Sequence, residues 1–146
     1  HNAHRRQRQM CIRDSFMKLC HPFLKGGGKI INLASSSALR ADSEGYGAYA
    51  AVKEAIRALS RTAAVEWGPD NILVNCIMPL AKSTGMEWWM SERPEEAAEF
   101  VKTIPLGKVG DCKDDIGEAV CHLLSEGMSY ITGSTIMIDG GQAFLR

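Results

Sequence analysis

The sequence predicts an α/β fold, a parallel sheet covered by helices. Three observations predict it. Compact apolar runs recur at residues 29–34 (KIINLA), 72–78 and 134–138, the length of buried strands. Longer stretches with apolar residues at helical spacing lie between them. Glycine, proline and asparagine mark the joints. Strands alternating with helices imply β-α-β units and parallel pairing. Three strands make a thin sheet, so the expectation is part of a larger doubly wound one.

The elements follow in order. Residues 1–14 (HNAHRRQRQMCIRD) carry few apolar residues and no helical or strand period. Residues 9–15 read as the translation of a transposon-end sequencing adapter, so 1–14 is expected to be a non-native or disordered leader. Ser15 is placed to cap a short helix with Phe16, Leu19, Cys20 and Phe23 on one face, ended by Gly26, Gly27 and Gly28. The first strand, 29–34, reads as buried on both faces, and a polar stretch covers 35–44. A long helix spans 46–67, with Ala50, Val52, Ala55, Ile56, Leu59 and Ala63 inward; Gly68, Pro69, Asp70 and Asn71 stop it. The second strand runs to Met78, and Pro79 ends it. Short helices are expected at 86–90 and 94–102, joined by a mobile loop. Residues 111–125 read as one amphipathic helix carrying Ile116, Ala119, Val120, Leu123 and Leu124. Gly133 opens the third strand, and Asp139, Gly140 and Gly141 close it.

Composition narrows the function. The 146 residues suffice for one domain, and 17 basic residues balance 17 acidic ones. No global charge favours nucleic acid or an anionic membrane, and no apolar run reaches the ~18 residues of a membrane span. The five cysteines contain no C-x-x-C pair and do not cluster with the four histidines. The expectation is reduced thiols in a cytoplasmic protein, with no metal site.

One constellation carries chemistry. Tyr49 and Lys53, at i and i+4 near a helix start, share one face. Ser35 sits just beyond a buried strand, where open α/β sheets place their sites. The loop between them is long enough to bring the three together. A phenol ordinarily ionises near pH ~10, and an adjacent ammonium favours the phenolate. Such a phenol can exchange a proton with an alcohol or ketone oxygen, while a serine hydroxyl holds the same oxygen. That machinery suits hydride transfer to or from a nicotinamide.

These residues resemble a known family. The run 28–35 (GKIINLAS) is similar to the strand that ends in the catalytic serine of classical short-chain dehydrogenases/reductases. Tyr49-Ala50-Ala51-Val52-Lys53 matches the family's Y-x-x-x-K motif, and 74–79 (VNCIMP) resembles its V-N-x-I-x-P segment. Ile131-Thr132-Gly133 and Ile138-Asp139-Gly140-Gly141 resemble its closing turns. The resemblance runs from about Ser15 to the C-terminus. It implies the C-terminal portion of a Rossmann-type domain over 15–146, three parallel strands with flanking helices. It further implies an NAD(P)-dependent oxidoreductase interconverting an alcohol and a carbonyl. Tyr49 would be the acid/base, Ser35 would orient substrate, and Lys53 would favour the phenolate and hold the nicotinamide ribose. Pro79 and Thr84, with Tyr49 and Lys53, would line the NAD or NADP site. The partners implied are a small-molecule substrate and further copies of the chain, as a homodimer or homotetramer. Leu80 stands where the family has glycine, and Lys82 where it has an apolar residue. The family's glycine-rich phosphate loop, its early strands and its helix asparagine have no counterpart in these residues.

The same residues admit other readings. Ser36 is the runner-up to Ser35. Trp88 and Trp89, beside Met86 and Met90, fit a substrate pocket, lid packing or a subunit contact equally well. Glu95, Glu96 and Glu99 read as a solvated helix face, and Asp139 as a turn closer. Gly26-Gly27-Gly28-Lys29 runs into a strand and not a helix, so it reads as a turn and not a phosphate loop. A serine hydrolase would need G-x-S-x-G, and Ser35 sits in A-S-S-S. The alternative to an active enzyme is a truncated, non-catalytic fragment lacking the phosphate-binding half.

Overall fold

The computed structural model describes residues 2–40 and 45–144. The end of the expected polar stretch, 41–44, lies outside them. Three strands, β1 (Lys29–Leu33), β2 (Leu73–Pro79) and β3 (Thr135–Ile138), form one sheet in that order, both pairs parallel. The helices are α1 (Asn2–Leu24), α2 (Gly47–Trp67), α3 (Thr84–Glu92), α4 (Pro94–Lys102) and α5 (Glu118–Leu123). The predicted α/β architecture is therefore what forms.

Alternation along β2 builds the core. Ile72, Val74, Cys76 and Met78 are buried and point to one side of the sheet. There Ile72 and Val74 pack with Ala63 and Ala64 of α2, while Cys76 and Met78 pack with Ile56. The C-terminal half of α2 thus lies over the start of β2, and its N-terminal half over the end. On the opposite side Asn75 ties down the approach to β3. Its Nδ2 donates to the Ile131 carbonyl at 2.7 Å, and its Oδ1 accepts from the Ser134 N–H at 3.0 Å.

Three expectations change. Helix α1 starts at Asn2 instead of Ser15, since no proline or glycine interrupts the arginine- and glutamine-rich stretch before it. Its inward side is also different. Met17 is buried against Ala63, Ala64 and Val74, with Leu24 beside them, whereas Phe16, Leu19 and Phe23 are exposed, Phe23 to 89%. Strand β1 is not buried on both faces, since Leu33 is exposed; among the described residues it pairs with β2 alone. The helix expected over 111–125 forms, with its first turns in π-helical register running without a break into α5. The Asp111 carboxylate accepts from the Lys113 and Asp114 N–H groups at 2.7 and 2.8 Å. The chain then takes a π-helical turn over Cys112–Gly117, with Ile116 N–H bonded to the Asp111 carbonyl, before α5 begins. Among the described residues, no helix is long and apolar enough to cross a membrane, and no three His, Cys, Asp or Glu side chains gather in a way that could hold a metal.

Candidate active site

The packing of α2 against β2 decides where the reactive pair falls. Because the helix runs back over the strand, its first turns stand at the carboxyl ends of the strands. Tyr49 lies in that first turn, half-buried. Ser35 reaches the same edge from β1. The Ala34 N–H bonds the Ile77 carbonyl at 2.9 Å, extending the ladder past Leu33, and Ser35 then leaves the sheet in an extended conformation. Its hydroxyl accepts from the Ser37 N–H at 3.3 Å and caps the short 3₁₀ turn Ser36–Ala38. Pro79 ends β2, and the Asp139 turn follows β3. There Asp139 accepts from the Gly141 and Ala143 N–H groups at 3.0 and 2.8 Å. Gly140 and Gly141 both take positive φ, which glycine alone adopts without strain.

These strand ends open onto a cleft of about 1170 Å³. Ser35, Ser36, Tyr49 and Pro79 line it together with Met86 and Trp88 of α3. Sequence reasoning therefore brought Ser35, Tyr49 and Pro79 to one place. Thr84 is the first residue of α3 and exposed; its neighbours Ser83 and Gly85, but not Thr84 itself, line the cleft. The cleft is also lined by residues outside the sequence-predicted set, among them Tyr46, Arg93, Phe100 and Gln142. The glycine pair before Gln142 is the available signal for that one. Tyr46 immediately precedes α2, and Arg93 and Phe100 reach the cleft through the folding of α3 and α4, which no local pattern encodes.

Lys53 joins the site through Tyr49. Its Nζ lies 5.4 Å from the centre of the Tyr49 ring and donates to the Leu33 carbonyl at 3.4 Å. Arg13 Nη1 donates to that same oxygen at 3.2 Å. Burial holds the Lys53 ammonium below the ordinary lysine value, and the nearby Arg13 charge adds to the effect. Tyr46 meets Tyr49 edge-on, ring centres 6.0 Å apart. The arrangement is a phenol flanked by a half-buried cation, with the Ser35 hydroxyl lining the same cleft. It can exchange a proton with a bound oxygen and hold that oxygen in place. The half-buried lysine beside the phenol, facing the strand ends, also fits the nicotinamide-ribose end of a dinucleotide.

The chain matches known proteins over most of its length. The sequence profile of a family described as enoyl-(acyl carrier protein) reductase matches residues 15–143. A 12alpha-hydroxysteroid dehydrogenase from a Clostridium species is 41% identical over 127 residues, which are 86% of this chain and 49% of that protein. A 3-oxoacyl-(acyl-carrier-protein) reductase from Chlamydia trachomatis is 40% identical over 84% of this chain and 48% of its own length. The solved structure of a 4-hydroxyisoleucine dehydrogenase mutant complexed with NADH and succinate superposes with a TM-score of 0.71 at 36% identity, covering 80% of this chain and 47% of that one. The chain spans about half the length of the curated relatives it matches.

Proposed function

The chain belongs to the short-chain dehydrogenase/reductase family, and on that premise we propose that residues 15–146 are the C-terminal portion of one such domain. The whole protein is then an NAD(P)-dependent oxidoreductase that interconverts an alcohol and a carbonyl. The family match begins at residue 15, so residues 1–14 lie outside the proposed domain.

A nicotinamide dinucleotide, when bound, supplies or accepts the hydride. The remaining work falls to this chain. The Ser35 hydroxyl donates a hydrogen bond to the carbonyl oxygen of the substrate and fixes its distance from Tyr49. In reduction the Tyr49 hydroxyl gives its proton to that oxygen as the carbonyl carbon gains hydride, leaving an alcohol and a phenolate. In oxidation the phenolate takes the proton back. Lys53 would favour the phenolate and hydrogen-bond the ribose of a bound dinucleotide, and Pro79 would border its nicotinamide, with Thr84 at the rim between the cleft-lining Ser83 and Gly85. The protein works in the cytoplasm on a small-molecule substrate, without nucleic acid, membrane or metal. It assembles as a homodimer or homotetramer; the exposed Phe16, Leu19 and Phe23 on α1 and Val65 on α2 support self-association.

The observation that carries this reading is that Tyr49 and Ser35 line one cleft, with Lys53 beside the phenol. Replacing Tyr49 by Phe in the full-length protein is expected to abolish turnover while sparing cofactor binding. Substantial remaining activity would remove Tyr49 from the acid/base role. The half-length match favours one second reading: the 146 residues alone hold the trio without turning over. Titrating this chain with NADH and NADPH, followed by nicotinamide fluorescence, separates the two. Saturable binding favours the enzyme reading, and none from folded protein favours the fragment.

A further inference from the structure

The row of β1 side chains under α2 holds one polar residue. Ile30 packs into the apolar cluster over the start of β2, and Ala34 into the cluster over its end. Between them on the same face stands Asn32, 5% exposed, against Ser60 of α2, 1% exposed. Asn32 Nδ2 donates to Ser60 Oγ at 2.9 Å and to the Met17 sulfur on α1 at 3.4 Å. The Ser60 hydroxyl in turn donates to the Ile56 carbonyl at 2.7 Å. One amide therefore ties the strand to both helices that cover it. Hydrophobic contact is non-directional, so an all-apolar seam tolerates small slides. A buried hydrogen bond holds one register, because a slide leaves a desolvated N–H unpaired.

We propose that Asn32 and Ser60 are positioning residues for the reaction: their bond sets the register of α2 on β1, and that register places Lys53 and Tyr49 at the strand end from which Ser35 departs. The proposal rests on the oxidoreductase reading above and goes beyond it. Neither residue lines the cleft; both act through their neighbours. Along β1 the next residue is Leu33, whose carbonyl accepts from Lys53 at 3.4 Å, and Ser35 follows soon after. Along α2, Lys53 stands about two turns before Ser60 on the same face. The strand and the helix are thus pinned twice, once by a fully buried bond between side chains and once by the lysine of the site.

Two variants separate position from stability. Ser60→Ala leaves a buried Asn32 N–H unpaired, so it costs stability whatever the pair does. Asn32→Leu combined with Ser60→Ala makes both partners apolar, and stability should return close to that of the unaltered chain. Lys53 reports position: burial lowers its pKa most, the Arg13 charge from α1 lowers it further, and Cys76 of β2 acts the other way. In spectra of the reductively methylated 146-residue chain, Lys53 of the double variant should lose its separation from the exposed lysines, while the denaturant midpoint stays near the original. In the full-length protein the double variant should lose roughly 10–100-fold in kcat, the scale of a small misplacement of reacting groups. A double variant whose Lys53 still titrates apart from the exposed lysines overturns the proposal. So does an unchanged kcat, or a Lys53 that titrates with the exposed lysines already in the unaltered chain. A Ser60→Ala chain that displaces Lys53, with both midpoint and titration restored in the double variant, assigns the pair to stability alone and overturns it too. If Ser60→Ala does not fold, the double variant decides by itself. No turnover enters the titration. Failure of the acid/base reading appears instead as residual activity of Tyr49→Phe, so the two failures are distinguishable.

Discussion

Lys53 Nζ donates to the Leu33 carbonyl, 3.4 Å away, linking the second turn of α2 to the last residue of β1. Arg13 shares that oxygen. The bond fixes the ammonium beside Tyr49 and fixes the strand end from which Ser35 departs.

The first prediction concerns the titration of Lys53. Burial, then the Arg13 charge, depresses its pKa. The sign follows: an unfolded chain keeps the lysine proton to higher pH, so this group opposes folding while charged. Its penalty fades as pH rises through the folded pKa toward the unfolded one. In spectra of the reductively methylated chain, Lys53 should lose its proton at lower pH than exposed lysines, and Arg13→Gln should shift it upward. A Lys53 signal that titrates with the exposed ones would discard the buried-cation picture. In the full-length protein, Lys53→Met should weaken both turnover and cofactor affinity and alter the pH–rate profile.

The second prediction separates two neighbouring serines. Ser35 and Ser36 both line the cleft, but only the Ser35 hydroxyl caps the following turn. That cap makes Ser35 a structural residue as well. Ser35→Ala should cost far more activity than Ser36→Ala in the full-length protein, with Ser35→Thr recovering part of it. The reverse order would transfer the substrate-orienting role to Ser36.

The third prediction is acid sensitivity at the far end of the sheet. Asp70 Oδ1 lies 3.2 Å from Lys25 Nζ, and Oδ2 lies 2.9 Å from His21 Nε2, so one carboxylate ties α1 to the turn after α2. The hydrogen bond from Lys25, and then its charge, hold Asp70 below its usual value of 3.8. A depressed carboxylate stabilises the fold above the unfolded pKa and loses that contribution as pH falls through the folded one. Asp70→Asn should therefore lower stability near neutral pH and shrink the gap to the unaltered chain below pH ~4, read from denaturant midpoints across pH. A gap independent of pH would show that Asp70 acts through packing and not charge.

Much of this was legible in the sequence, for identifiable reasons. Helix α2 declared itself because Ile56, Ala63 and their neighbours recur at helical spacing and meet the alternate residues of β2. The trio was legible because a spacing of four on a helix and a residue at a strand end are local facts. Helix α1 shows where locality fails. Phe16, Leu19 and Phe23 form the more apolar stripe, yet Met17 and Leu24 face the core, because the inward side is chosen by what α2 and β2 present. His21 reinforces that side by resting 4.8 Å from the Trp67 ring, a contact invisible to hydropathy. The π-helical turns before α5 were equally hidden, since they rest on the Ile116 N–H reaching the Asp111 carbonyl five residues back, a register that apolar spacing does not encode. The Leu33 carbonyl, shared by Lys53 and Arg13, carries no sequence signal at all.

The last prediction tests whether the α2–β2 contact really sets the site. Ile56 is fully buried, packed among Ala34, Cys76 and Met78, one turn beyond Lys53 on the same helix. Ile56→Ala removes three carbons where the strand and helix backbones leave little room to collapse, so it should cost roughly 2–5 kcal/mol of stability. Val65→Ala, on the same helix but 80% exposed, should change stability by no more than about 0.5 kcal/mol. The site should respond as well. With Ile56 cut back, the N-terminal turns of α2 are free to shift against β1, and the Lys53 bond to the Leu33 carbonyl should loosen. Lys53 should then titrate closer to exposed lysines in Ile56→Ala and unchanged in Val65→Ala. If Ile56→Ala unfolds the chain at 25 °C, Ile56→Val, with a smaller expected cost of about 0.5–1.5 kcal/mol, makes the same comparison. An Ile56→Val chain that is clearly destabilised yet leaves Lys53 titrating as before would mean that the lysine is positioned by β1 alone, independently of how α2 packs on β2.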